Sequence, residues 1–89
     1  MVVLELRFTD DEARLTARPA HRERLTRLHA DGRLVAAGPW QDDSGALLLF
    51  SADEEAVREI IAADPYYATA GVSVVAVRCW QPIVGMAGT

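Results

Sequence analysis

The chain has no lysine. All nine of its basic residues are arginine, and 13 acids outnumber them, for a formal net charge of −4 over 89 residues. An acidic chain without clustered positive charge lacks the phosphate contacts that nucleic-acid binding needs, so no nucleic-acid partner is expected. The arginine usage reads as a compositional bias of the genome, not as function. There is a single cysteine, Cys79, which excludes a disulfide scaffold. It reads as a small buried apolar residue; a lone cysteine without an export signal fits a reducing, cytoplasmic setting. No run approaches the ~20 apolar residues that span a bilayer, so no membrane partner is expected. The opening Met-Val-Val-Leu-Glu-Leu-Arg carries charge too early for a secretion signal.

Apolar residues, by contrast, are plentiful. They make up 51% of the chain against 25% charged, which excludes a disordered protein. The length fits one domain over residues 1–89, with a core at about 2–82 and a tail at 83–89. A domain this small buries only ~60–65% of the surface its unfolded chain exposes. That much apolar surface is hard to hide inside one copy.

Local patterns order the chain as strand, helix, strand, strand, helix, strand. Val2 to Phe8 is β-branched and leucine-rich, a strand. Thr9 to Arg18 is charged and reads as a loop or one loose helical turn. Pro19 then opens a helix that stops at Gly32. Leu34 to Ala37 and Ala46 to Phe50 are strands, separated by Gly38-Pro39 and the turn Gln41 to Gly45. Ser51 to Glu54 has capping-box spacing and starts a helix to Ala63, with Ala56, Val57, Ile60 and Ile61 as its apolar stripe. Asp64-Pro65 ends it. Tyr66 to Gly71 is a loop, and Val72 to Trp80 the last strand. This β-α-β-β-α-β order predicts a ferredoxin-like α+β fold, a four-stranded antiparallel sheet with two helices on one face.

A one-sided antiparallel sheet alternates apolar and polar residues. Ala46 to Phe50 is apolar throughout. In the last strand Val72, Val74 and Ala76 face one side by alternation, Val75 and Val77 the other. Two short helices cover one face only, so the second is covered by another copy, a ligand or both. A homodimer through the sheet face is the expected arrangement.

Several residues carry candidate chemistry. His21 shares a helical stripe with Leu25 and Leu28, which turns its imidazole inward. It is either a core histidine bonded to a backbone carbonyl or an acid–base group in a cleft. His29, near the helix end, complements the helix dipole. Asp64 either bonds its own turn backbone or orients a histidine. Gly38, ahead of Pro39, permits close approach of a ligand, and Trp40 is placed to floor a pocket. Asp42 and Asp43 are acids of a site or solvated turn residues. Tyr66, Tyr67 and Trp80 line a cavity or fill the core or dimer face. There is no nucleophile–base motif, no metal-ligand cluster and no glycine-rich phosphate loop, so neither metal nor cofactor is expected.

Taken jointly, Arg18-Pro19-Ala20-His21, Leu25, Leu28, His29, Asp31-Gly32-Arg33-Leu34, Ala37-Gly38-Pro39, Asp64-Pro65-Tyr66 and Ala70-Gly71-Val72, with a closing strand to Trp80, resemble the YCII-related proteins over residues 2 to 82. The resemblance implies a ferredoxin-like domain dimerising sheet to sheet as a dimeric α+β barrel. It implies an active-site pair of one histidine and one aspartate, falling on His21 and, through Asp-Pro-Tyr, on Asp64. The acid after Gly38-Pro39 recurs in relatives as well and falls here on Asp42 or Asp43. Gly38, Pro39, Trp40, Asp43 and Tyr66 are then the expected substrate-binding residues. One relative is a cofactor-independent dehydrochlorinase acting on a chlorinated hydroxyquinol, and similar folds include muconolactone isomerase and haem-handling enzymes. The implied function is His–Asp proton transfer, of isomerase or lyase type, on a small aromatic or enol-forming molecule. The competing class is a non-catalytic dimeric ligand-binding or accessory module. A separation of His21 from a carboxylate well beyond ~3.2 Å favours that class.

Overall fold

A computed structural model describes residues 1–85. The elements are β1 (Val2–Phe8), α1 (Ala13–Ala30), β2 (Leu34–Pro39), β3 (Gly45–Phe50), α2 (Glu54–Ala63), a 3₁₀ turn (Pro65–Ala68) and β4 (Val72–Cys79). The strands form one sheet in the order β2-β3-β1-β4, every pair antiparallel. This is the ferredoxin-like α+β arrangement expected from the element order. Residues 86–89, the end of the expected tail, lie outside the described residues.

Sheet register decides what reaches the core. Val2, Leu4 and Leu6 alternate along β1 and are buried. Pairing places Phe50, Leu48 and Ala46 of β3 opposite them, and therefore on the same face. Val57 from α2 and Tyr66 from the 3₁₀ turn complete the cluster. Burying each large aliphatic side chain fully stabilises the fold by about 1.5–3 kcal/mol. Helix α1 packs over the β2 side of this face, and α2 beside β4.

Four local expectations are corrected. Helix α1 begins at Ala13 rather than Pro19, so the charged segment is helical and Pro19 sits inside it. Hydrogen bonds between charged side chains and backbone hold this first part. Asp11 accepts from the Ala13 N–H at 2.9 Å, and buried Arg14 donates to the Thr9 carbonyl at 2.6 Å. At the start of α2 the cap is Asp53, accepting from the Ala56 N–H at 2.8 Å, and not Ser51. In β4 a bulge opposite Glu5 and Leu6 leaves Val75 unpaired. Val74 and Ala76 therefore lie on opposite faces, and simple alternation fails. Cys79 is exposed, its Sγ 3.7 Å from a Glu54 carboxylate oxygen, because β4 is an edge strand and ends there.

The sheet face away from the helices carries Val3, Leu47, Leu49 and Ala76, interrupted by Glu5 and Arg78. Leu47 is 39% exposed there, and both Trp40 and Trp80 are 45% exposed. Among the described residues no helix is long and apolar enough to cross a membrane.

Candidate active site

The site grows from the end of α2. A residue before proline is pushed out of helical geometry, and Asp64 is accordingly extended at φ −106°, ψ 112°. Its Oδ1 accepts the Tyr66 N–H at 3.0 Å and starts the 3₁₀ turn. The same oxygen takes the Arg24 guanidinium at 2.9 Å. That leaves Oδ2 for His21, whose Nδ1 lies 2.8 Å away. Asp64 thus bonds its own turn backbone through one oxygen and His21 through the other.

His21 and Asp64 are 6% and 7% exposed, so the contact is between desolvated groups. His21 is a buried histidine of α1, but its bond goes to a carboxylate rather than to backbone. The ring stacks on Tyr66 with centroids 3.9 Å apart and planes 8° from parallel, and meets Tyr67 edge-on at 5.2 Å. Two aromatic rings and one carboxylate therefore fix its orientation. A carboxylate accepts only, so Nδ1 carries the proton and neutral His21 presents a bare Nε2.

Electrostatics keep the pair in that state. Burial lowers the pKa of His21 below its ordinary value, outweighing the bond and charge of Asp64, which act to raise it; Arg22 and Arg24 push it down further. For Asp64, burial alone raises the pKa. The bonds from His21, the Tyr66 N–H and Arg24 together win, and the carboxyl titrates below its usual range. Burial pushes the Tyr67 phenol up, with the Asp64 charge adding to it, so the ring is a neutral wall. Its hydroxyl has no hydrogen-bond partner among the described residues.

His21 lines a cavity of about 590 Å³ between α1, β2 and the sheet, within the range of small-molecule sites. One wall is polar: Arg18, His21, Arg22, Thr26 and His29 of α1. The floor is apolar, with Leu6, Phe8 and Leu48 from the sheet, Gly38 and Pro39 from β2, and Tyr66. Among the described residues no carboxylate lines it. His29 donates from Nδ1 to the Leu34 carbonyl at 2.8 Å, which orients its ring beside the cavity.

Of the residues singled out from sequence, His21, Asp64, Gly38, Pro39 and Tyr66 gather at this cavity, Asp64 from behind His21. Trp40 and Asp43 lie outside its lining. Trp40 sits against Gly45. Asp43 adopts φ +58°, a left-handed conformation that aspartate tolerates better than most residues. Its carboxylate faces α1, accepting from Arg14 and Arg18 at 3.0 Å each. Burial works to raise the Asp43 pKa, but the two guanidiniums hold it below its ordinary range. Arg14 and Arg18 also lie over the Phe8 ring, at 4.8 and 5.7 Å. Sequence reasoning gave no role to Arg14, Arg18, Arg22 or Arg24. The signal was present: 14, 18 and 22 repeat at one helical spacing, and 24 lies one turn beyond His21. Among the described residues no group of three or more histidine, cysteine or acidic side chains is placed to hold a metal ion.

The fold and the site define a ferredoxin-like α+β domain whose first helix presents a carboxylate-paired histidine to a cavity with one polar and one apolar wall. The model of the YCII-related domain family matches residues 1–81, nearly the whole chain, and the chain belongs to that family. No curated protein matches it.

Proposed function

We propose that the protein is a small cofactor-independent enzyme that moves a proton with the His21–Asp64 pair, as an isomerase or lyase. One observation carries the reading: a buried histidine bonded to a buried carboxylate at 2.8 Å lines a cavity of ligand size. That distance falls inside the hydrogen-bonding reach the catalytic reading needs, where a bond from His21 to backbone would have favoured a binding module.

In this reading Nε2 takes a proton from a carbon or hydroxyl of the bound molecule. The electron pair released forms an enolate or a new double bond. The imidazolium gains from Asp64, whose charge Arg24 and the Tyr66 N–H hold in place. Return of the proton to a different atom completes an isomerisation. Loss of an anion such as chloride from the neighbouring carbon completes an elimination. Gly38, Pro39 and Tyr66 shape the space for the ligand. Asp43, from outside the lining, holds Arg18, which lines the cavity, and Trp40 packs at Gly45 away from the ligand.

Two copies pack through the open sheet faces, covering Leu47, Leu49 and Val3. The exposed cysteine fits a reducing cytoplasm.

The test compares wild type with H21A and D64N on catechols, chlorinated quinols and lactones. General acid–base help of this kind is worth roughly 10²–10⁴-fold, and both variants are expected to lose turnover on that scale. Equal turnover in all three proteins contradicts the proposal.

A further inference from the structure

The cavity has an electrostatic character that proton transfer alone does not require. The chain is acidic overall, yet five of its nine arginines lie on α1, together with both histidines and a single acid, Glu23. A genomic preference for arginine explains the count and not the placement. Two of these arginines, Arg18 and Arg22, line the cavity.

Charge accounting behind the wall leaves a surplus. Asp43 is shared by Arg14 and Arg18, one carboxylate between two guanidiniums. Asp64 is matched by Arg24 while His21 is neutral. The Arg22 guanidinium makes no ion pair among the described residues. Arg18 bonds Asp43 through Nη2 alone, so its other donors are uncommitted, and the side chain is held rather than free. A guanidinium fixed by a carboxylate behind it binds a second anion with less ordering cost. The side chains of the opposite wall are hydrocarbon and aromatic apart from the Tyr66 hydroxyl, and among the described residues no carboxylate lines the cavity to repel an anion.

We infer that the cavity takes a small organic carboxylate on an apolar body, its carboxylate held by Arg18 and Arg22 and its body lying on the Phe8, Leu48 and Tyr66 side. This rests on the reading of the cavity as the ligand site and names the class of ligand. It does not depend on a proton being moved. Arg18 and Arg22 are then specificity-determining residues: they select the anion over its neutral isostere, because charge-assisted bonds to carboxylate are the strong ones. Asp43 is a positioning residue that acts through Arg18.

The experiment uses 2-naphthoate and its neutral counterpart 2-naphthamide as probes, titrated into the full chain and followed by backbone amide NMR. The expected result is that naphthoate perturbs amides of residues 18 to 29 and of Tyr66 and binds at least about tenfold more tightly than naphthamide. R18M and R22M are each expected to remove most of that preference while leaving naphthamide affinity unchanged. Arg22 is exposed and unpaired, so R22M decides the matter even where R18M disturbs the Asp43 cluster. Equal affinity for the two probes, a preference that survives in R22M, or no response of the cavity amides at millimolar naphthoate overturns the inference. The H21Q variant separates the two readings. A naphthoate preference retained in H21Q supports anion recognition independently of any loss of turnover, whereas a preference lost in H21Q, with Arg18 and Arg22 intact, contradicts the assignment to arginine.

Discussion

Asp64 serves the fold and the site at once, and its pairing with His21 has a consequence in acid. The folded pKa of His21 lies below its ordinary value of 6.5 because burial disfavours the imidazolium. Between those two values the unfolded chain binds the proton and the folded chain does not, so stability falls as pH drops below about 6.5. Asp64 and Asp43 have folded pKa values below their ordinary 3.8, and the stability they supply is lost later, as pH falls below that region. Urea midpoints measured against pH are expected to decline in two stages, and H21Q is expected to lack the upper one. A flat wild-type profile between pH 7 and 5 contradicts this. Much of this residue-scale picture was legible in the sequence. The spacing of His21 with Leu25 and Leu28 turned it inward, and Asp-Pro fixed Asp64 at a helix end. The choice among Asp42, Asp43 and Asp64 was not legible, because the pairing spans 43 positions and depends on how α1 lies against the 3₁₀ turn. The turn of Asp43 toward Arg14 and Arg18 was equally a tertiary event.

At the scale of elements, the strands and α2 followed from apolar pattern and caps, whereas the first third of α1 did not. Ala13 to Arg18 shows no apolar stripe. Its most buried residue is Arg14, bonded to the Thr9 carbonyl and to Asp43, and periodicity of hydrophobic residues is blind to such anchors. Pro19 added to the misreading, since proline more often opens a helix than sits in one. Inside α1 it gives no N–H to the Leu15 carbonyl. P19A restores that bond and relieves the ring clash. After the loss of proline's stiffening of the unfolded chain, it is expected to raise stability by about 1–2 kcal/mol, read from denaturant midpoints. A destabilised P19A would show that the break in the hydrogen-bond ladder is needed to set Arg18 and His21. The bulge at Val75 is of the same kind as the early start of α1. A single unpaired residue exchanges the faces of everything beyond it, and composition carries no mark of it.

For the whole molecule, the apolar excess of the sequence has a place. The helix-covered face holds Leu4, Leu48 and Phe50, and on the open face Leu47 is 39% exposed and Val3 half-buried beside the buried Leu49. Proteins seldom leave such a face wet. Light scattering is expected to give the mass of two chains for wild type and of one for L47E, which sets a charge at the centre of the face while leaving the core register untouched. A wild-type mass of one chain contradicts the sheet-to-sheet dimer. The cavity and the open face lie on opposite sides of the sheet, so L47E is expected to retain the His21–Asp64 pair.

His21, bonded to Asp64 through Nδ1 and lining the cavity, is proposed to be a neutral base with a free Nε2. Long-range ¹⁵N NMR of the imidazole across the neutral pH range tests it directly. The expected result is a protonated Nδ1, an unprotonated Nε2 and a titration midpoint below 6.5. An Nε2–H tautomer, or a midpoint above that value, contradicts it.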